Sequence, residues 1–163
     1  MNWIAKLLSD EIRETWKLRI FGLARIPLLF YVGISIVELT PARMVIRIPL
    51  RRRTKNHLGS MYFGALCIGA DVAPGAYAMY LIQRQPVRIN MVFKDFQAEF
   101  LKRAEGDVHF ICNQGKEIAA LVAQAAASEE RVEKQLDVLA TVPSVSDEAV
   151  ARFKLTISLK QRL

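Results

Sequence analysis

The chain has 163 residues, 52% of them hydrophobic and 24% charged, a balance that excludes a disordered segment and suits one domain spanning 1–163. Its net charge of +7 points to an anionic partner: nucleic acid, a membrane surface or a phosphate-bearing ligand. No recognition-helix pattern, aromatic RNA-binding platform or Cys/His finger accompanies that charge, which sets nucleic acid aside.

Residues 2–24 predict an amphipathic helix, with Trp3, Leu7, Ile12, Trp16 and Leu18 set among charges at helical spacing. Trp3 and Trp16 read as packing residues, and Pro27 marks the helix end. Asp10, Glu11 and Glu14 interrupt any signal-peptide core. The apolar run 26–37 holds Pro27 and Gly33 and falls well short of the ~20 residues a membrane span needs. The expectation is a cytoplasmic protein without a membrane span.

Residues 32–39 predict a strand, 40–43 a turn and 44–50 the second strand of a hairpin. A basic loop follows, Arg51-Arg52-Arg53-Thr54-Lys55. A central helix is expected over 60–84, interrupted at Pro74-Gly75. Residues 87–103 form a long β-like run, bulged around 95–97. Glu105-Gly106-Asp107 then turns the chain into a paired strand at 108–112. An Ala-rich helix covers 117–129, and strands cover 132–142 and 150–160. The last has the cleanest alternation, with Ala151, Phe153, Leu155, Ile157 and Leu159 opposite Arg152, Lys154, Thr156, Ser158 and Lys160. The order α-β-β-α-β-β-α-β-β predicts an α+β fold, a six-stranded antiparallel sheet around an apolar central helix.

The segment NHLGSMYFGALCIGAD, 56–71, carries the chemistry. A helix N-terminus offers free N–H groups able to stabilise an oxyanion. Asp71 lies within the same apolar helix, and burying a carboxylate is costly unless it is paired or used. Donors plus a carboxylate suit acyl transfer or hydrolysis. The alternative is a core helix whose Asp reaches solvent or a capped neighbour. Arg52, Arg53 and Lys55 are either phosphate contacts or a solvated loop.

Element order and motif together resemble the hotdog fold, and within it the phenylacetate-type thioesterases, whose motif runs Asn-x-x-Gly-x-x-His-Gly-Gly with an acid nine residues after the His. Asn56, Gly59 and Gly64 match, and Asp71 falls in register. Tyr62 stands in place of the His and Phe63 in place of the first Gly of the pair. The wording NHLGSMYFGAL and the extra helix before the last two strands resemble an uncharacterised thioesterase-like branch. The resemblance covers about residues 27–163. It implies an acyl-CoA thioesterase-like homodimer or tetramer, with coenzyme A part of the substrate and no separate cofactor or metal. Asp71 would be base or nucleophile, and the Phe63 amide, with Gly64 beside it, the donor. Asn56, Gly59, Tyr62, Arg52, Arg53 and Lys55 would bind substrate. Tyr62, Phe63 and Gly75, which occupies the turn where related enzymes often place a hydroxyl, also suit a non-catalytic acyl binder. A carrier-protein dehydratase would need a His at Tyr62.

Other candidates have structural readings. Asn56 can hold a turn, Ser60 can cap the helix, and His57 and His109 suit a loop and a strand. Asp95 and Glu99 read as surface charges. Cys67 and Cys112 lack zinc or disulfide spacing and read as buried thiols in a reducing compartment.

Overall fold

The computed structural model describes residues 10–162. Its elements are α1 (Asp10–Arg25), α2 (Pro27–Val32), β1 (Ser35–Leu39), β2 (Met44–Ile48), α3 (Phe63–Ile82), β3 (Ile89–Phe100), β4 (Val108–Cys112), α4 (Gly115–Ala127), β5 (Val132–Val142) and β6 (Ser146–Gln161). The part of the expected first helix at 2–9, with Trp3 and Leu7, lies outside the described residues.

The six strands form one sheet in the order β1-β2-β4-β5-β6-β3. All neighbours are antiparallel. Helix α3 lies against β2, β4, β5, β3 and β6, while α4 packs on α3 and on the β5–β6 pair. Leu136, Val138 and Ala140 of β5 and Phe153, Leu155, Ile157 and Leu159 of β6 point into this core and are almost fully buried. The period of two seen in the sequence is thus the period of burial.

Helix α3 is apolar around most of its circumference because sheet and α4 cover it from several sides. Ala70, Ala73 and Ala78 have no exposure at all. It satisfies length and composition for a membrane crossing, but most of it is the core of this fold. Gly69 is where the sheet approaches most closely: a Cβ there would lie 2.2 Å from the ring of Phe110, itself fully buried. Gly69→Ala is therefore expected to destabilise the protein by about 1–2 kcal/mol, overpacking outweighing the gain in helix propensity. Urea unfolding of wild type and variant checks this.

Several expectations are corrected. The helix is continuous through Pro74, because the packing on both sides of the proline outweighs one missing ladder donor. It begins at Phe63 rather than Ser60, and Tyr62 occupies the N-cap position with no side-chain cap. Ser60 is buried and accepts a hydrogen bond from Asn56 Nδ2 at 3.0 Å. Tyr62 and Phe63 at the helix start are exposed. β3 and β4 do not pair with each other. β4 inserts between β2 and β5, and β3 runs antiparallel to β6 at the sheet edge. The connection between them crosses the sheet end, where Leu101 and Lys102 N–H donate to the Val150 carbonyl.

The bulge in β3 falls between Phe93 and Asp95, just ahead of the expected place. Asp95 Oδ1 accepts the Thr156 N–H at 3.0 Å there. Thr156 and Ser158, expected outward with the charges, are buried. Arg131 donates to Ser158, and Ser158 donates to Glu133, so long side chains roof that part of the sheet. Pro27 does not simply end the first helix but opens α2, which closes at Gly33 with φ +74°. Trp16 is not a packing residue: it is 56% exposed, with the Arg19 guanidinium 5.9 Å from its ring centroid.

Candidate active site

Asp71 sits two turns into α3. It lines a cavity of about 370 Å³ closed by Leu18 and Phe21 of α1, Leu29 of α2 and Ile36 and Met44 of the first hairpin. Met91 and Phe93 of β3 complete the wall. The lining is mainly apolar, as expected of a pocket for an acyl group. Glu14 and Lys17 stand at one side, paired with each other at 2.7 Å.

Asp71 has neither a hydrogen-bond donor nor a cation as partner among the described residues. Burial alone pushes its carboxyl above the usual carboxylate range. A half-buried, unpartnered carboxylate in an apolar cavity is the arrangement expected of a base or nucleophile. Gly75, one turn on, leaves space beside it: a Cβ there would stand 3.8 Å from Asp71 Oδ1 and 3.5 Å from the Phe93 ring. No hydroxyl orients that carboxylate from this turn.

A second group of residues gathers at the start of α3. Ala65 and Leu66 N–H donate back to the Tyr62 carbonyl, leaving the amides of Phe63 and Gly64 as the first-turn donors without a partner among the described residues. The exposed Phe63 ring lies 4.9 Å from the Tyr62 ring at a tilt of 59° and 6.3 Å, edge-on, from Phe100 at the end of β3.

The loop before the helix is built around Asn56. Its Oδ1 accepts the Leu58 N–H at 2.9 Å while its Nδ2 donates to Ser60. Gly59 takes φ +85°, which completes the turn. Both polar ends of Asn56 are thus engaged within the loop, and Gly59 is a turn residue with open space around it. His57 is exposed on the same loop.

Arg52, Arg53 and Lys55 are exposed on the basic loop. Thr54 organises it, donating to the Pro49 carbonyl and accepting the Arg51 N–H. The Thr54 carbonyl accepts the Tyr62 N–H at 2.8 Å, which ties the basic loop to the helix start. Arg53 turns the other way, 5.6 Å from the Tyr31 ring centroid on α2.

Within one chain, then, Lys55, Tyr62, Phe63 and Gly64 come together and Asp71 stands apart in its own cavity. The contribution of α1 to that cavity was not visible in the sequence, because nothing local ties Leu18 and Phe21 to a helix fifty residues away. His109 lies elsewhere, beside Arg47 and Asp107, and burial, then the neighbouring Arg47, holds its pKa below the usual imidazole range. Asp107 is committed to Arg47 and to the Leu50 N–H. Glu99 stays exposed, 3.8 Å from Arg152. Cys67 and Cys112 are both free, and burial raises both thiols.

No curated protein matches this chain in sequence. Among solved structures it is similar to a Pseudomonas aeruginosa protein described as of unknown function and a probable thioesterase. The two share 24% identity over 91% of this chain and 96% of that one, with TM-score 0.73. A protein of unknown function from Chlorobaculum tepidum superposes with TM-score 0.78 at 14% identity, covering 93% and 97% of the two chains. A thioesterase from Haemophilus influenzae does so with TM-score 0.64 at 14% identity, covering 87% and 88%. At these identities the likeness establishes the fold, and the hotdog architecture that the sequence resembles is borne out. A family model described as a domain of unknown function, DUF4442, matches residues 15–159, and the chain therefore belongs to that family.

Proposed function

We propose that this protein hydrolyses an acyl thioester, with acyl-coenzyme A as the substrate class, at a site completed by a second copy of the chain. The observation that carries the reading is Asp71, an unpartnered carboxylate opening into an apolar cavity of acyl-group size. In this reading Asp71 takes a proton from water as the water oxygen attacks the thioester carbonyl. The carbonyl oxygen gathers negative charge, held by the Phe63 amide with Gly64 beside it. The carbon–sulfur bond then breaks, and the departing thiolate takes up a proton. Asp71 attacking the carbonyl carbon directly is the covalent variant of the same step.

Eight residues separate Phe63 from Asp71, about 12 Å along a helix, so both cannot serve one carbonyl from the same chain. The long edge strand β3 supports a solution. It carries exposed Val92, Phe96 and Phe100 and pairs on one side only; an exposed apolar edge is a template for another strand. A twofold axis near Asp95–Phe96 would set Phe100, which touches Phe63, opposite Met91 of the second copy, which lines the Asp71 cavity. Lys55 on the tethered loop, bridged to Met61 beside the helix start, would meet the nucleotide phosphates. We place the activity in the cytoplasm, in keeping with two free thiols.

A second reading, an acyl binder without turnover, is favoured by the bulk of Phe63 at the helix start and by Gly75 beside the acid. Thiol release from short, long and aromatic acyl-coenzyme A esters separates the two. Turnover that Asp71→Ala abolishes is the expected result. Tight binding with no released thiol would establish the binder instead.

A further inference from the structure

The exposed apolar side chains of the N-terminal region are not scattered. Trp16, Ile20 and Leu23 follow one another at steps of four and three and lie within about 60° of the circumference of α1. Ile20 is 64% exposed and Leu23 59%. The opposite side of α1 is the packed one, with Thr15 and Gly22 buried and Leu18 against the core. Leu28 and Tyr31, three residues apart on one side of α2, are exposed as well. A patch of this kind marks an interaction site.

Positive charge borders the patch. Arg13 and Lys17 flank the stripe but pair with Asp10 and Glu14. Arg19 flanks it on the other side, over the Trp16 ring. Arg53 lies over Tyr31. Arg19, Arg25, Arg52 and Arg53 form no ion pair with any carboxylate among the described residues.

We propose that the outer face of α1 and α2 docks on an anionic lipid bilayer, with Trp16, Ile20, Leu23 and Tyr31 at the boundary of headgroups and acyl chains and Arg25, Arg52 and Arg53 on phosphate. An amphipathic helix with a basic border and interfacial aromatics is the form that lies in a bilayer surface. A bilayer offers apolar and anionic groups side by side over a broad plane, which matches apolar and basic residues spread over two helices and a loop. The inner side of α1 lines the Asp71 cavity through Leu18 and Phe21, so docked surface and cavity are two sides of one helix. The inference does not rest on hydrolysis: it stands on surface chemistry alone.

Cosedimentation of the full chain with phosphatidylcholine vesicles, with and without phosphatidylglycerol, tests it. The expected result is binding to the phosphatidylglycerol vesicles that weakens with salt. In a Trp3→Phe background, Trp16 emission moves to shorter wavelength on binding. Ile20→Glu with Leu23→Glu lowers partitioning by about tenfold or more, with an unchanged circular dichroism spectrum because both side chains are exposed. Arg25→Glu with Arg52→Glu, a second surface variant, removes the preference for the anionic lipid. No binding to phosphatidylglycerol vesicles, or binding untouched by both pairs, overturns the proposal. A wild-type assembly that dissociates in the Ile20→Glu, Leu23→Glu protein also overturns it, because a second copy then covers this face.

Discussion

Asp71→Asn is expected to fold more stably than wild type at neutral pH while losing thioester hydrolysis by about 10²-fold or more. The stability gain comes from burial without a partner. Desolvation holds the folded-state carboxyl above its ordinary pKa, so the protonated form is the one the fold prefers. A carboxyl raised in this way contributes fully below its unfolded-state pKa and loses that contribution as the pH rises through the folded value. At pH 7 the ionised Asp71 therefore weakens the fold, and a neutral amide of the same shape removes the cost. The advantage of Asp71→Asn should shrink on acidification and disappear below about pH 4, where the wild-type carboxyl is also neutral. Urea midpoints of both proteins across that range measure it. Wild-type turnover should rise with pH, with a midpoint above that of an ordinary Asp. A variant less stable than wild type at neutral pH would mean that the carboxylate has a favourable partner, contrary to the geometry of the cavity.

Phe63→Pro is the second large effect, and it tests the backbone rather than a side chain. Phe63 is the first helical residue of α3, a position where proline fits and where its missing N–H breaks no ladder bond. Tyr62 already has φ −65° and ψ 137°, the extended conformation that a following proline requires. The fold should therefore survive, while the proposed oxyanion donor is deleted and turnover falls by about 10²–10³-fold. Phe63→Ala keeps the N–H and should retain most of the activity, which separates amide from ring. The sharper experiment mixes chains. Asp71→Asn and Phe63→Pro proteins are each inactive, yet a mixed dimer holds one site with both parts intact. Unfolding and refolding an equal mixture should restore about a quarter of wild-type turnover, half the dimers being mixed and each carrying one of two sites. No recovery would refute a site shared between chains and leave Asp71 to act within its own.

These two variants probe parts of the molecule that were unequally legible from residues alone. The motif in 56–71 and the register of Asp71 within it are sequence features, and the alternation in β5 and β6 located those strands because one face of each is buried. Helix α3 was equally readable, being apolar on nearly every side. Local pattern failed where two local readings were equally good. The run PLLFYV satisfies a strand pattern as well as a helix, and α2 is settled by Pro27 at its start and Gly33 at its end. Ser60 is a competent cap, but Asn56 engages its hydroxyl, and the helix starts after it. Pro74 is a breaker by composition, yet the surrounding burial keeps α3 whole.

By itself, then, the sequence determined the six strands in their order, the central and Ala-rich helices and the acid in the central helix, since these follow from the period of burial along a short stretch of chain. Only the tertiary structure decided that β3 stands at the sheet edge rather than beside β4, that Trp16 and Ile20 face outward, and that α1 walls the Asp71 cavity. Each of those outcomes depends on which distant surface covers a given face, a competition between long-range contacts that no local periodicity records.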